Sequence, residues 1–150
     1  MAYLYSTVAG ENCAKAVGMS LPISRKKSIV VCQFIRGKSL QKAKKMLTEV
    51  INLAKAVPFT RYPNGPGHKP GMAAGRYPAK TCKHILGLLE SAEANAQFKG
   101  LSTADLIVKH ITTQQGPKTW HYGRQSRRRI KRNHVEIVLE ERKVKKEGKK

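Results

Sequence analysis

Acidic residues are spread so unevenly along this chain that they limit what it can fold into. Nine Asp and Glu stand against 30 Lys and Arg in 150 residues. Three stretches without any acid, 12–48, 50–89 and 106–135, hold nine, six and eight Lys or Arg. Ordinary solvated surfaces mix both signs of charge, so these stretches cannot neutralise themselves locally. The folded chain must therefore present positive surface, which a polyanion can neutralise.

The net charge and the hydropathy limit the classes of protein to which this chain can belong. A net charge of +21 argues against most ordinary soluble enzymes and favours nucleic acid or an anionic membrane surface as a partner. Hydrophobic residues make up 40% of the chain, which is enough for the core of one domain. No apolar run approaches the roughly 18 residues of a membrane span, and no signal-peptide pattern is present. We therefore expect a soluble intracellular protein.

Residue types that usually carry catalysis or bind metals are sparse. The three cysteines, at positions 13, 32 and 82, have neither disulfide-framework nor zinc-knuckle spacing, and are typical of buried or free thiols. The five histidines show no metal-ligand spacing. Glu90 and Glu93 are typical of a solvent-facing helix surface rather than of an acid/base pair. We predict no catalytic site, no metal site and no cofactor, and hence no enzyme.

Apolar periodicity predicts three helices. The first covers 25–36, the second begins after Ser39 and ends before Pro58, and the third runs from Pro78 to Gly100. A serine precedes each of the first two helices as a candidate N-cap. Their apolar side chains recur every three or four residues, so each helix should bury one face.

The segment 57–77 is rich in residues that interrupt regular structure. It contains four prolines and four glycines, which argues against helices or strands and predicts a loop that orders on binding. Gly65-Pro66-Gly67 is typical of a turn, because proline lacks the N–H donor that a phosphate-binding loop uses.

Two β-branched segments, 105–113 and 134–141, predict antiparallel strands, and 14–21 predicts a third. Alternation places Val135, Ile137 and Leu139 on one face of the last strand. The predicted fold class is α+β: three helices packed on a small three-stranded antiparallel sheet with a long protruding β-hairpin. We expect a single domain over 1–141 and a basic flexible tail over 142–150.

The connection between the last two strands, 112–133, is far longer than the two to five residues of an ordinary hairpin turn. Besides Trp120 and Tyr122 it contains seven Lys or Arg. Guanidinium groups pair with phosphates and stack on bases, and aromatic rings offer a flat surface to an unstacked base. We predict a protruding hairpin that binds RNA; a solvated basic loop or a nuclear localisation signal is the alternative.

Several segments also resemble a known family, in matching order over roughly residues 12–141. They are Ile23-Ser24-Arg25-Lys26-Lys27, Ile35-Arg36-Gly37-Lys38, Val57-Pro58-Phe59 with Arg61, Gly75-Arg76-Tyr77-Pro78, Glu90-Ser91-Ala92-Glu93-Ala94-Asn95-Ala96, Lys99-Gly100-Leu101 and His134-Val135-Glu136-Ile137-Val138-Leu139. The chain resembles the universal large-subunit ribosomal protein L twenty-two family, called L seventeen in eukaryotes. Its segment 58–77 looks like the archaeal and eukaryotic form.

The resemblance implies a structural constituent of the cytoplasmic large ribosomal subunit, without catalysis. Its body would bind rRNA near the opening of the peptide exit tunnel, and its hairpin, 116–133, would line the tunnel. The implied partners are large-subunit rRNA, neighbouring ribosomal proteins and the nascent polypeptide near the hairpin, with no membrane and no homo-oligomer.

The candidate RNA-binding residues combine the hairpin, the first turn of the first helix, and two arginines within the family motifs. They are Arg25, Lys26, Lys27, Arg61, Arg76, Lys118, Trp120, His121, Tyr122, Arg124, Arg127, Arg128, Arg129, Lys131 and Arg132. An architectural duplex-DNA binder is the alternative function, although no groove-reading helix carries the arginines. A nuclease would need carboxylates or a histidine-centred site that these nine dispersed acids do not suggest.

Overall fold

The computed structural model describes residues 3–8 and 10–142. The elements in chain order are β1 (Cys13–Leu21), α1 (Arg25–Ile35), α2 (Leu40–Ile51), β2 (Val57–Pro58), β3 (His68–Lys69), β4 (Met72–Arg76), α3 (Ala79–Phe98), β5 (Leu106–Gln115) and β6 (Asn133–Glu141). The α+β class, the three helices and the three predicted strands are confirmed. The predicted tail lies outside the described residues beyond Arg142.

The main sheet is antiparallel with strand order β1-β6-β5, so β6 is the central strand. In register, Leu139 lies between Ala14 of β1 and Val108 of β5. Val135, Ile137 and Leu139 are fully buried in the hydrophobic core, as their alternation predicted. Because strand residues alternate between faces, one face of the sheet is committed to packing against the helices.

The helices pack on this face and also cover parts of the sheet edges. α3 lies against β1, where the Asn95 side chain donates to the Lys15 carbonyl at 2.8 Å and Lys99 to the Cys13 carbonyl at 2.8 Å. At the other edge, the Val108 amide donates to the Lys38 carbonyl at 3.0 Å. Such contacts satisfy backbone groups that an edge strand leaves open. No helix in the described ranges is long and apolar enough to cross a bilayer.

The ends of the helices depend on glycine more than on serine. Ser24 and Ser39 occupy the N-cap positions, but neither side chain makes a capping hydrogen bond, contrary to expectation. Gly37 and Gly100 both have a φ of +72°, the left-handed conformation that lets the chain turn away after a helix.

The expectation that 57–77 lacks regular structure is wrong. β2, β4 and β3 form a second three-stranded sheet in that order. Pro58 lies at an edge, where its missing N–H costs nothing, and the central strand contains no proline. Pro70-Gly71, with Gly71 at φ +73°, joins β3 to β4 as a tight turn. Residues that interrupt regular structure here form the turns of a small sheet.

All three cysteines are free and buried. Burial raises the pKa of the Cys32 and Cys82 thiols to about 12, although Arg36 acts in the opposite direction on Cys32. These thiols stay protonated at neutral pH and act as small apolar residues, as the spacing indicated.

The connection between β5 and β6 is only partly regular. The strands pair as far as Gln115 and Asn133. Beyond them a few backbone hydrogen bonds still join the two sides, including an isolated β-bridge between Trp120 and Arg129. The His121 amide donates to the Arg128 carbonyl at 2.8 Å. A long regular β-hairpin therefore is not confirmed, and its reach remains a prediction.

The second face of the main sheet carries a buried carboxylate. Glu136 on β6 is 1% exposed and accepts hydrogen bonds from the Ser6 hydroxyl and, at 3.2 Å, from the Ser6 amide. His110 on β5 lies 3.2 Å from the same carboxylate. Burial acts to raise the pKa of Glu136, but the bonds from Ser6 and His110 together lower it. The N-terminal segment is thus fastened to the sheet through one acidic side chain.

This network predicts an acid-sensitive contribution to stability. Because the pKa of Glu136 is lowered by folding, its stabilisation is present above the ordinary value of 4.5 and is lost as the pH falls through the folded-state value. Replacing Glu136 by Gln should lower the free energy of unfolding by about 1–3 kcal/mol at pH 7, measured by urea denaturation, and by less at pH 3.

Glu140→Gln provides the matched control, since Glu140 lies on the same strand in a half-exposed ion pair with Lys109. Such surface pairs contribute little to stability, because solvent screens the two charges. An equal loss of stability in both variants at pH 7 would contradict the fastening role of Glu136.

Candidate nucleic-acid interface

The candidate surface is built around the start of α1. Arg25, Lys26 and Lys27 occupy its first turn, which contains no acidic residue. The first N–H groups of a helix lack intrahelical partners and carry the positive end of the helix dipole. The positive charges of the three side chains and of these N–H groups therefore lie at one place, where they would stabilise a negatively charged ligand.

An arginine cleft, defined by Arg25, Arg36, Arg61, Thr112 and Thr113, lies on one side of this turn. The Arg36 guanidinium donates to the Ile111 carbonyl at 2.7 Å, which holds it against β5. The Thr113 hydroxyl is buried and has no hydrogen-bond partner among the described residues. Guanidinium forks are groups that bind phosphate oxygens.

A lysine cleft lies on the other side of the turn. Its basic residues are Lys26, Lys27, Arg76 and Lys131, and Tyr62 adds an aromatic ring. The Lys26 ammonium lies 5.2 Å from the centre of the Tyr62 ring. Arg76 donates to the Gly65 carbonyl at 2.6 Å, so the second sheet and its turn hold one wall of this cleft.

A third cleft, the root cleft, lies between α1 and the base of the β5–β6 connection. Its lining comprises Arg25, Gln115, Lys118, Arg129, Ile130, Lys131, Arg132 and Asn133. It shares Arg25 with the arginine cleft and Lys131 with the lysine cleft. The three clefts therefore adjoin, and together they hold nine of the candidate residues.

The remaining six candidates lie further along the connection. They are Trp120, His121, Tyr122, Arg124, Arg127 and Arg128. Trp120 is 55% exposed and Tyr122 is 90% exposed. The Arg129 guanidinium lies 4.4 Å from the centre of the Trp120 ring, so a residue of the root cleft is linked to an aromatic side chain of this region.

Ion pairs in the described ranges avoid this surface. Lys44–Glu93 joins α2 to α3, Lys55–Glu49 lies at the end of α2, and Lys109–Glu140 joins β5 to β6. Apart from these, only His110 and Glu136 bring a basic side chain against a carboxylate within 3–8 and 10–142. None of the twelve Lys and Arg among the candidates has a carboxylate partner there, and ten of them are exposed.

One cluster resembles hydrolytic machinery but does not have its geometry. Ser6, His110 and Glu136 are in contact, yet the hydroxyl and the carboxylate both lie 3.2 Å from the same ring nitrogen, Nε2. In a nucleophilic triad the acid orients one nitrogen while the other activates the hydroxyl. In the described ranges no group of three His, Cys, Asp or Glu is placed to hold a metal ion.

Sequence reasoning missed three contributors to this surface. Arg36 belongs to a family motif but is not among the site residues that the sequence predicts, and neither are Tyr62 and Thr113. Arg36 could have been found from its place in an acid-free stretch. Nothing in the sequence shows that Thr113, 77 residues further along, lies beside it.

Comparison with known proteins agrees with the fold and the charge distribution. The family model described as "Ribosomal protein L22p/L17e" matches residues 16–140. The large ribosomal subunit protein uL22 of Archaeoglobus fulgidus is 36% identical over 146 residues, covering 92% of this chain and 94% of the relative. Its namesake in Methanocaldococcus jannaschii is 40% identical over 139 residues, covering 87% and 89%.

The large ribosomal subunit protein uL22 of Staphylothermus marinus is 39% identical over 150 residues, covering 93% of this chain and 96% of the relative. These relatives match along nearly their whole length. They are archaeal, which agrees with the archaeal and eukaryotic form that the segment 58–77 indicated. The chain belongs to the ribosomal protein L22p/L17e family, whose members are structural, non-enzymatic proteins of the large ribosomal subunit.

Proposed function

We propose that this protein binds and fastens large-subunit rRNA through the surface that runs from the start of α1 along the β5–β6 connection. The observation that carries the proposal is the set of twelve Lys and Arg without carboxylate partners in the described ranges. An unpaired cationic surface of this size is costly to hold together in water. Neutralisation by phosphates removes that cost and releases counterions, which favours binding.

The shape of the surface favours folded RNA over a DNA duplex. A duplex offers regular grooves, which proteins read with a helix or a β-ribbon. Here the cations line three clefts and an irregular connection with exposed Trp120 and Tyr122. Such clefts and aromatic side chains fit the loops, bulges and splayed bases of RNA.

The body and the connection have different roles in this proposal. The clefts of the body bind rRNA near the opening of the peptide exit tunnel, and the connection lines the tunnel, where it meets the nascent polypeptide. The protein acts there as a monomer beside neighbouring ribosomal proteins in the cytoplasm. The exposed Tyr122 and the basic residues around it supply contacts for both RNA and a passing chain.

Sedimentation of a native lysate tests the assembly. We expect the protein to migrate with the large subunit on a sucrose gradient and to stay there after a high-salt wash, because contacts of the clefts and aromatic side chains with RNA bases add to the salt-sensitive phosphate contacts. Migration with chromatin, or complete release by salt, would contradict the proposal and favour the duplex-DNA alternative.

The salt dependence of binding tests the outer part of the connection. Replacing Arg124, Arg127 and Arg128 by Ala removes three exposed charges. The slope of log affinity for large-subunit rRNA against log salt concentration should become shallower by about two to three. Fluorescence anisotropy at several salt concentrations measures this slope.

A triple variant with Lys42, Lys45 and Lys55 replaced by Ala is the matched control. It loses the same charge from α2 and the turn after it, away from the three clefts. Its slope should change by less than one. Equal slopes for both variants would show that the arginines of the connection stay solvated.

A further inference from the structure

The root cleft differs chemically from the two clefts beside it. It has a volume of about 260 Å³, and its exposed lining is mostly apolar although five of its eight residues are Lys or Arg. Phosphate is bound by N–H, hydroxyl and cationic groups, whereas this lining presents mainly carbon. The cleft therefore fits an uncharged group that is attached to a charged backbone.

Contacts of the arginine heads explain why carbon faces the cleft. The Arg129 guanidinium stacks on Trp120, and the Arg132 guanidinium donates to the Ser20 carbonyl at 3.2 Å. The Arg25 guanidinium lies 3.4 Å from the Gln115 side-chain oxygen. With the heads engaged, the aliphatic stems and half-buried Ile130 form the lining.

A bulge holds the cleft open. The Gly116 amide donates to the Arg132 carbonyl at 2.9 Å, and the Ile130 amide donates to the Thr119 carbonyl at 2.8 Å. Between these two hydrogen bonds the chain advances three residues from Gly116 to Thr119, but only two residues separate Ile130 from Arg132 on the facing strand. The extra residue on the first strand lies at Pro117–Lys118. Bulges re-aim side chains, which accounts for the place of Lys118 at the cleft.

The opposite wall is fixed as firmly. The Asn133 side chain donates to the Ile23 carbonyl at 2.8 Å, which ties the base of the connection to the residues before α1. Both walls are thus held by hydrogen bonds within the protein. The cleft is formed before a ligand arrives, so binding needs little reordering of the chain.

We propose that the root cleft binds the base of one unpaired RNA nucleotide, while the cations around it hold the phosphates on either side. This inference rests on the proposed rRNA-binding function and specifies part of its site. RNA loops and bulges are the places where single bases splay out and meet apolar or stacked side chains. The cleft is smaller than the roughly 300–1,000 Å³ of sites for drug-sized ligands, which suits a single base.

Two RNA stem-loops of equal length and charge test the inference with the full chain. One carries a single bulged 2-aminopurine, and the other carries an abasic residue at that position. We expect about tenfold tighter binding of the RNA with the bulged base at moderate salt. The 2-aminopurine fluorescence should also change on binding, as the base leaves water.

The outcomes separate this inference from the function on which it rests. Equal, salt-dependent affinity for both RNAs would overturn the base-binding cleft and leave rRNA binding intact. Failure to bind either RNA would overturn both. Binding of an acidic, aromatic peptide at the cleft, together with equal affinity for the two RNAs, would assign the cleft to a protein partner instead.

Cleft-filling variants locate the base. Ile130→Trp should abolish the tenfold preference, because the indole fills the space that the base would occupy. Ile51→Trp is the matched control, since Ile51 is also half-buried but contacts none of the three clefts. Retention of the preference by folded Ile130→Trp would overturn the inference.

A smaller change covers the case in which Ile130→Trp does not fold. Ile130→Ala removes part of the apolar lining without adding bulk, and should reduce the preference to about threefold. Circular dichroism establishes that each variant is folded before binding is measured. An undiminished preference in the alanine variant would also count against the cleft.

Discussion

The antiparallel pairing of β5 with β6 positions most of the molecule. β6 is the central strand, and its inward side chains Val135, Ile137 and Leu139 anchor the helices, so its register cannot shift without exposing the core. The same pairing ends at Gln115 and Asn133, where the basic connection begins. Because α1 packs against β5, its first turn lies beside that point, and the three clefts form between them.

The sheet also separates the charges along its length. Asp105, Glu140 and Glu141 lie at one end of β5 and β6, and the arginines of the connection lie beyond the other end. The pairs Lys44–Glu93 and Lys109–Glu140 use carboxylates to satisfy lysines away from the clefts. The surface around the clefts is therefore positive for two reasons. The chain has many basic residues, and its acidic residues lie elsewhere in the fold. The apolar core must outweigh the repulsion that this arrangement creates in the free chain.

Local patterns were sufficient to predict the elements that build the core. The alternation of Val135, Ile137 and Leu139 and the helical spacing of Leu40, Leu47 and Val50 each reflect burial on one face, which periodicity reports directly. The second sheet was missed because Pro70-Gly71 has the same composition in a loop as in a tight turn. Charge and resemblance identify the candidate residues one by one, whereas their grouping into clefts depends on contacts between distant segments. Ser20 and Arg132 are one example, and Thr113 and Arg36 are another.

Glu136 shows what charge counting alone misjudges. Alternation along β6 placed it opposite the core, where a carboxylate would be expected to meet solvent and offset nearby cations. Instead the segment that includes Tyr3, Tyr5 and Ser6 covers it, and the covering segment has no periodicity by which it could be recognised. One of nine acids is thereby removed from the surface and used to fasten the N-terminal segment. In a chain so short of carboxylates, burying this one leaves the exposed surface still more positive, which strengthens its attraction for phosphate while hydrogen bonds offset the cost of burial.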